Sequence, residues 1–278
     1  MSETTTTVLK IGVPDTPKGR QIAETSRSEL ANAGIEALVS LRPSGLEAAL
    51  LSGEIDAIAA ELNQFPTRQP EGIVITALSR RDSPADGLLI RQDAVQAGKI
   101  FRLKEGAVVA CHTLIQKAQL LEYRPDVVVE EVSDDTARLL EQLNSGRLDA
   151  LLLPLTRLGA NETVIDDVLK VELNPREFTP VAGQGAIAWQ THRDDIPTRL
   201  LLRRIHQPEV SALTNVERRI QQLLGDDAIL GVHCEKDAAG NYHVSAARFS
   251  GETLRRIYLS QSTRAGLSER AIKMMNDE

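Results

Sequence analysis

An eight-residue phrase occurs twice in this chain. Leu51–Ile58 reads LSGEIDAI and Asn144–Leu151 reads NSGRLDAL. Each follows a helix-like segment, Leu46–Leu50 in one case and Ala137–Leu143 in the other. In both, the pattern predicts a helix ending at Ser-Gly, where glycine supplies the left-handed cap, and a strand beginning near Ile55 or Leu148. Gly53 and Gly146 lie 93 residues apart. That period is too long for a solenoid and is the scale of two similar α/β domains. Two unrelated α/β loops sharing a common glycine cap would leave the same trace; we favour duplication.

The rest of the chain fits α/β organisation. Val8–Val13 reads as a strand closed by Pro14, and Lys18–Ala33 as a helix whose inner face carries Ile22, Ala23, Leu30 and Ala33. Gly34 stops that helix and Ile35–Leu41 returns as a strand, the rhythm of a βαβ unit with a parallel sheet. The polar segment Gln96–Gly106 is expected to cross between two α/β units. After a helix over Pro208–Leu224, three strands (Ile229–Glu235, Tyr242–Phe249, Arg255–Ser260) and a helix (Leu267–Met275) form a small α+β end.

Composition narrows the function classes. Aromatics are 3% and the net charge is −7, which disfavours a base-stacking platform or a phosphate-tracking surface. The longest apolar run, Ala150–Leu155, is too short for a bilayer, and MSETTTTVLK lacks a signal-peptide pattern. Two cysteines, Cys111 and Cys234, make no disulfide scaffold. The expectation is a cytoplasmic protein that binds neither nucleic acid nor membrane, as a monomer.

No strongly specific catalytic motif is present. Gly183-Gln184-Gly185 is either a backbone nest for an anion or a tight turn between domains. Cys111-His112 and His233-Cys234 fall in predicted strands, where neighbours point to opposite faces, so no metal site is expected. The acid pairs Asp134-Asp135, Asp166-Asp167, Asp194-Asp195 and Asp226-Asp227 suit helix caps and turns. Arg80-Arg81, Arg203-Arg204, Arg218-Arg219 and Arg255-Arg256 suit solvated faces, although arginine pairs also suit carboxylate or phosphate ligands.

Five segments in order resemble the porphobilinogen deaminase (hydroxymethylbilane synthase) family. They are Glu54–Pro66 (EIDAIAAELNQFP), Ile73–Ala85 (IVITALSRRDSPA), Leu143–Gly159, Phe178–Ala186 (FTPVAGQGA) and the spacing of Pro208–Val232. The resemblance implies two similar, periplasmic-binding-protein-like α/β domains around a cleft plus a small C-terminal α+β domain. The expected boundaries are 1–97 completed by 179–206, then 98–178, then 207–278. It also implies assembly of a linear tetrapyrrole from porphobilinogen, on a dipyrromethane cofactor held by a cysteine thioether.

Carried across residue by residue, that chemistry is missing. The family's His-Ser-x-Lys-Asp-x-Pro signature falls on Ala60–Pro66, putting Gln64 at the catalytic aspartate. The Gly-Gly-Cys loop reads Leu224-Gly225-Asp226, so Asp226 stands at the cofactor cysteine, and Cys234 lies eight residues on. Ser-Leu-Arg-Arg becomes Thr113-Leu114-Ile115-Gln116, Arg-Gly-Asn becomes Ser133-Asp134-Asp135, and the arginine near the first strand's end becomes Pro14. Among the positions that align, only Arg157 stays basic, and the family's lid is shortened between Arg42 and Gly45.

The expectation is therefore a deaminase-like protein without synthase activity and without the dipyrromethane cofactor, binding another small molecule in the interdomain cleft. Candidate contacts are Thr16, Gln64, Thr113, Arg157 and Gln184; His112, Asp135 and Cys111 are the residues to watch for a different activity. The alternatives are a divergent active hydroxymethylbilane synthase, a porphobilinogen-polymerising transferase of tetrapyrrole biosynthesis, and a non-catalytic interaction protein.

Overall fold

The computed structural model describes residues 8–133, 136–157 and 167–277. They divide into two compact units, Met1–Asp82 with Gly185–Ala212, and Ser83–Gln184 with Leu213–Glu278.

The first unit begins β1 (Leu9–Pro14), α1 (Pro17–Asn32), β2 (Ala37–Arg42), α2 (Leu46–Leu51), β3 (Ala57–Glu61), β4 (Ile73–Arg81). The second begins β5 (Asp86–Arg91), β6 (Val108–Cys111), α3 (Leu114–Tyr123), β7 (Val128–Glu131), α4 (Thr136–Asn144), β8 (Ala150–Pro154), β9 (Val168–Glu172). The chain then returns to the first unit with β10 (Ala186–His192) and α5 (Ile196–Leu202). The sheet orders are β2-β1-β3-β10-β4 and β7-β6-β8-β5-β9. They are the same order. In each, three parallel strands from a βαβαβ run meet one antiparallel strand, β10 or β5, next to a crossing segment. The repeated phrase thus belongs to a duplicated α/β architecture.

Local chemistry explains the elements. Central β3 is buried along its whole length, as a strand covered on both faces must be, whereas edge strand β2 is only partly buried. α1 turns Ile22, Ala23, Ser26 and Leu30 inward and gives way to Gly34 in the left-handed region (φ 69°). With few aromatics, the core is aliphatic around two large anchors, Trp189 among Leu9, Ile11 and Leu30, and Phe178 among Leu88, Ile90 and Leu120.

One boundary differs from expectation. The chain passes from the first sheet to the second at Asp82–Ser83, before β5, and not at Gln96–Gly106. β5 pairs with β8 and β9, so it belongs to the second sheet; Gln96–Gly106 is a loop inside that unit. The return likewise falls at Gln184–Gly185, later than residue 179.

The C-terminal elements are α6 (Pro208–Leu224), β11 (Ile229–Lys236), β12 (Tyr242–Ser250), β13 (Thr253–Gln261) and α7 (Leu267–Asn276). β11-β12-β13 is an antiparallel meander with its own core, in which Val216 and Ile220 of α6 and Leu267, Ala271 and Met275 of α7 meet Val232, Val244 and Ile257. It nevertheless groups with the second unit, and α3 packs against it. Among the described residues no helix is long and apolar enough to cross a membrane.

Candidate functional site

The duplicated topology sets the candidate residues in matched pairs. Thr16 ends the loop after β1 and caps α1, its hydroxyl accepting from the Gly19 N–H at 3.0 Å. Thr113 does the same after β6, accepting from the Gln116 N–H at 3.3 Å and capping α3. Both have extended backbone at the cap, and Pro17 opens α1 where no intrahelical N–H is needed. Gln64 and Arg157 form the second pair: each is the last residue of a single 3-10 turn, Leu62–Gln64 after β3 and Leu155–Arg157 after β8. The leucine that opens each turn is buried, whereas Gln64 is exposed and Arg157 partly so. Within each unit these residues sit at the same end of the parallel strands, the end where open α/β sheets bind ligands.

In the second unit lies a residue that sequence reasoning missed. Asp86 opens β5 and is 1% exposed. One of its oxygens, Oδ1, accepts from Gln116 Nε2 at 3.0 Å and from Gln184 Nε2 at 3.1 Å. Burial pushes its carboxyl up to about 6, against the pull of the two amides and of the Arg157 charge. Gln116 also accepts the His112 N–H at 3.1 Å through Oε1, tying the β6–α3 junction to β5. Gln184 is equally buried, and its amide nitrogen also donates to the Pro84 carbonyl at 2.8 Å. Of the five candidate contacts it therefore offers the least surface. A signal existed in the sequence, an acid at the head of the apolar strand DGLLIR, but its partners lie far along the chain.

The glycine loop carries an internal anion. Gly183 and Gly185 both take positive φ, and the Gly183 N–H donates to Glu217 Oε2 at 2.8 Å. Glu217, fully buried on α6, accepts the Cys234 N–H with its other oxygen at 2.9 Å. One carboxylate thus joins the loop to edge strand β11, whose next inward N–H, on Val232, is taken by the Pro180 carbonyl at 2.7 Å. His233 lies between Glu217 and Glu235, 3.7 Å and 3.6 Å from their carboxylates.

The remaining sequence candidates fall as follows. Asp226 is exposed in the turn after α6, and its charge acts on Arg218, which burial weakens as a base. Cys234 is fully buried in the core of the third sheet. Cys111 is also buried; desolvation, with Glu131 nearby, pushes its thiol up to about 12, so it is no nucleophile at neutral pH. His112 Nδ1 is 3.1 Å from the Val132 carbonyl. Asp195 caps α5. Asp134, Asp135 and Asp166 lie outside the described residues. Arg256 packs inside the second unit, while Arg80 and Arg219 form exposed ion pairs with Asp82 and Glu269. Among the described residues no three His, Cys, Asp or Glu side chains gather as a metal-binding group.

Residues 25–199 match the family model described as porphobilinogen deaminase, dipyromethane cofactor binding domain. A porphobilinogen deaminase of Desulforamulus reducens is 31% identical over 223 residues, covering 78% of this chain and 67% of that protein. One from Geobacillus kaustophilus is 30% identical over 212 residues, covering 75% of this chain and 64% of that protein. The chain spans about two thirds of the length of these relatives. Among solved structures, the methionine-binding protein MetQ aligns with a TM-score of 0.46 at 14% identity, over 73% of this chain and 91% of that one.

Proposed function

The chain belongs to the porphobilinogen deaminase family, and from that premise we propose that it is a member that has kept the fold and given up the polymerisation, a small-molecule binding protein without a dipyrromethane. The observation that carries this reading is the fate of the chain's thiols. The family's cofactor hangs on a cysteine thioether, and this chain has two cysteines. Both are buried, one in each of two apolar cores, and the loop that resembles the cofactor loop offers the carboxylate of Asp226 instead. A carboxylate makes no thioether. The residues present therefore do not fit the group.

The other replacements support the same reading. Gln64, in place of an aspartate, has no charge with which to stabilise a developing cation or to take a proton. Gln116 stands where the family has an arginine, and its amide is spent on Asp86. A growing tetrapyrrole carries two carboxylates per ring and needs several cationic partners. At these positions the chain offers Arg157. A ligand with no more than one carboxylate suits Arg157 and Thr113 of the second unit better than a polyanion does.

The test is the intact mass of the purified protein, before and after incubation with porphobilinogen. The expected result is the mass of the bare polypeptide on both occasions. A gain of whole pyrrole units would overturn the reading in favour of a divergent active synthase with its cofactor anchored elsewhere.

A further inference from the structure

We propose that a groove on the second unit, between α3 and the tip of the β12–β13 hairpin, binds a small amphipathic amine. Its apolar part would lie on Leu114, Leu121, Phe249 and Leu254, and its ammonium on Glu252. The groove has a volume of about 630 Å³, and its other lining residues are Lys117, Ala118, Glu122 and Thr253. That size is in the range of small-molecule sites, which favour seams between substructures.

Three observations carry this assignment. The first is that the walls are preformed. Arg256, two residues from Leu254 on β13, donates to Glu122 Oε2 at 2.7 Å, to the Glu177 carbonyl at 2.6 Å and to Gln119 Oε1 at 3.2 Å. Its guanidinium also lies 5.2 Å from the centre of the Tyr123 ring. The hairpin is thereby fixed to the helix, so the groove does not close by a small shift of either.

The second is that the apolar lining remains in contact with water. Leu114, at the first position of α3, is 43% exposed, and Leu121, Phe249 and Leu254 are partly exposed. An apolar chain lying there would remove this surface from water.

The third is the charge account along the rim. The Lys117 ammonium is held by Glu131 at 3.0 Å, and Glu122 is held by Arg256. Glu252, in the two-residue turn after Gly251, has no ion-pair partner among the described residues. The rim thus presents one uncompensated carboxylate beside an apolar floor. An ammonium complements that charge, and a carboxylate ligand is repelled by it. None of the candidate strand-end residues lines this groove, although Leu114 follows Thr113 directly, and the proposal does not depend on the function proposed above.

The experiment titrates the full chain at pH 7 with n-octylamine, n-octanol and octanoate, three probes with the same tail, by calorimetry and by chemical shifts of the Leu methyl groups. Octylamine is expected to bind at least about tenfold more tightly than octanol, with octanoate weakest. Glu252→Gln, a change at an exposed turn position, should bring octylamine to the affinity of octanol and leave octanol unchanged. Leu121→Ser should weaken both. Equal affinity of amine and alcohol, no effect of Glu252→Gln, shifts confined to other leucines, or no binding of octylamine would each overturn the proposal. So would a concentration-dependent dimer that covers these leucines.

Discussion

Asp56 and Asp149 make the same two hydrogen bonds in different sheets. Asp56 accepts the Lys10 N–H through Oδ2 at 2.7 Å while its own N–H donates to the Lys10 carbonyl at 2.8 Å. Asp149 accepts the Val108 N–H through Oδ2 at 2.9 Å and donates to the Val108 carbonyl at 2.8 Å. In both, a helix ends on a positive-φ glycine, Gly53 or Gly146, and the preceding serine hydroxyl donates to a carbonyl three residues back at 3.1 Å. The aspartate of the repeated phrase is a clamp between the first and third strands of each βαβαβ run, and it has no need of a ligand to explain it.

The two clamps should differ in strength. Asp149 is buried and also takes Lys104 Nζ at 2.7 Å and Arg91 Nη2 at 3.3 Å, whereas Asp56 is half-buried. Asp149→Ala is expected to cost about 2–3 kcal/mol and Asp56→Ala about 1 kcal/mol, by urea unfolding. Burial works against the charged form of Asp149, but Lys104, the Val108 N–H and Arg91 outweigh it and hold the carboxyl below its ordinary value. Its contribution is therefore complete above the unfolded carboxylate pKa and fades as pH falls through the lower folded value. Equal costs for the two substitutions would refute the difference.

Asp86 should act in the opposite direction. Its carboxyl is pushed from 3.8 to about 6, so between those values the folded chain keeps a proton that the unfolded chain releases. Stability should fall as pH rises through this window and level off above it, by a total on the order of 2–3 kcal/mol. Asp86→Asn removes the titration, so wild type should lose stability relative to the variant between pH 4 and pH 6. A difference that stays flat across that window in urea titrations contradicts the account. Gln116→Arg, which places a cation on the side chain facing Asp86, should shrink the effect.

Much of the fold was legible because its signals are local. The α6 bounds follow from a helical period between Pro208 and Gly225, and β11, β12 and β13 from apolar runs separated by turn residues. The echo exposed the duplication because a helix stop and a clamp need the same residue types wherever they occur. The crossing at Asp82–Ser83 was misplaced because the partners of β5, on β8 and β9, lie about sixty residues or more further along the chain. The places of Thr16, Gln64, Thr113 and Arg157 at strand ends, two in each unit, follow from local motifs. Asp86 and Glu217 stayed hidden because an acid looks solvated until distant backbone and amide donors close around it.

Glu217 is the more demanding of those two buried acids. It accepts both the Gly183 and the Cys234 N–H groups, from a position with no exposure. Glu217→Ala leaves two buried donors to find other partners and is expected to cost roughly 2–4 kcal/mol. Glu217→Gln keeps one acceptor oxygen but sets an NH₂ group against the other N–H, so its cost should be intermediate. Urea unfolding within about 0.5 kcal/mol of wild type for Glu217→Ala would sink the role assigned to it.

Gly231 tests how tightly the third sheet is seated on the second unit. A Cβ at this position of β11 would lie 2.3 Å from the Thr179 carbonyl oxygen and 2.5 Å from its hydroxyl. Thr179 has little freedom to retreat. Its N–H and hydroxyl both donate to Gln119 Oε1, at 2.8 Å and 3.0 Å, and its carbonyl accepts from Gln119 Nε2 at 2.9 Å. Gly231→Ala must therefore either lift the strand or break the grip of Gln119, and a cost of about 2–4 kcal/mol is expected. Gln119→Ala also destabilises, but it frees Thr179 to move. The double variant should then cost less than the sum of the two singles, by about 1 kcal/mol or more. Strict additivity in that cycle would mean that the loop yields without Gln119 letting go, and the seat of the sheet would have to lie elsewhere.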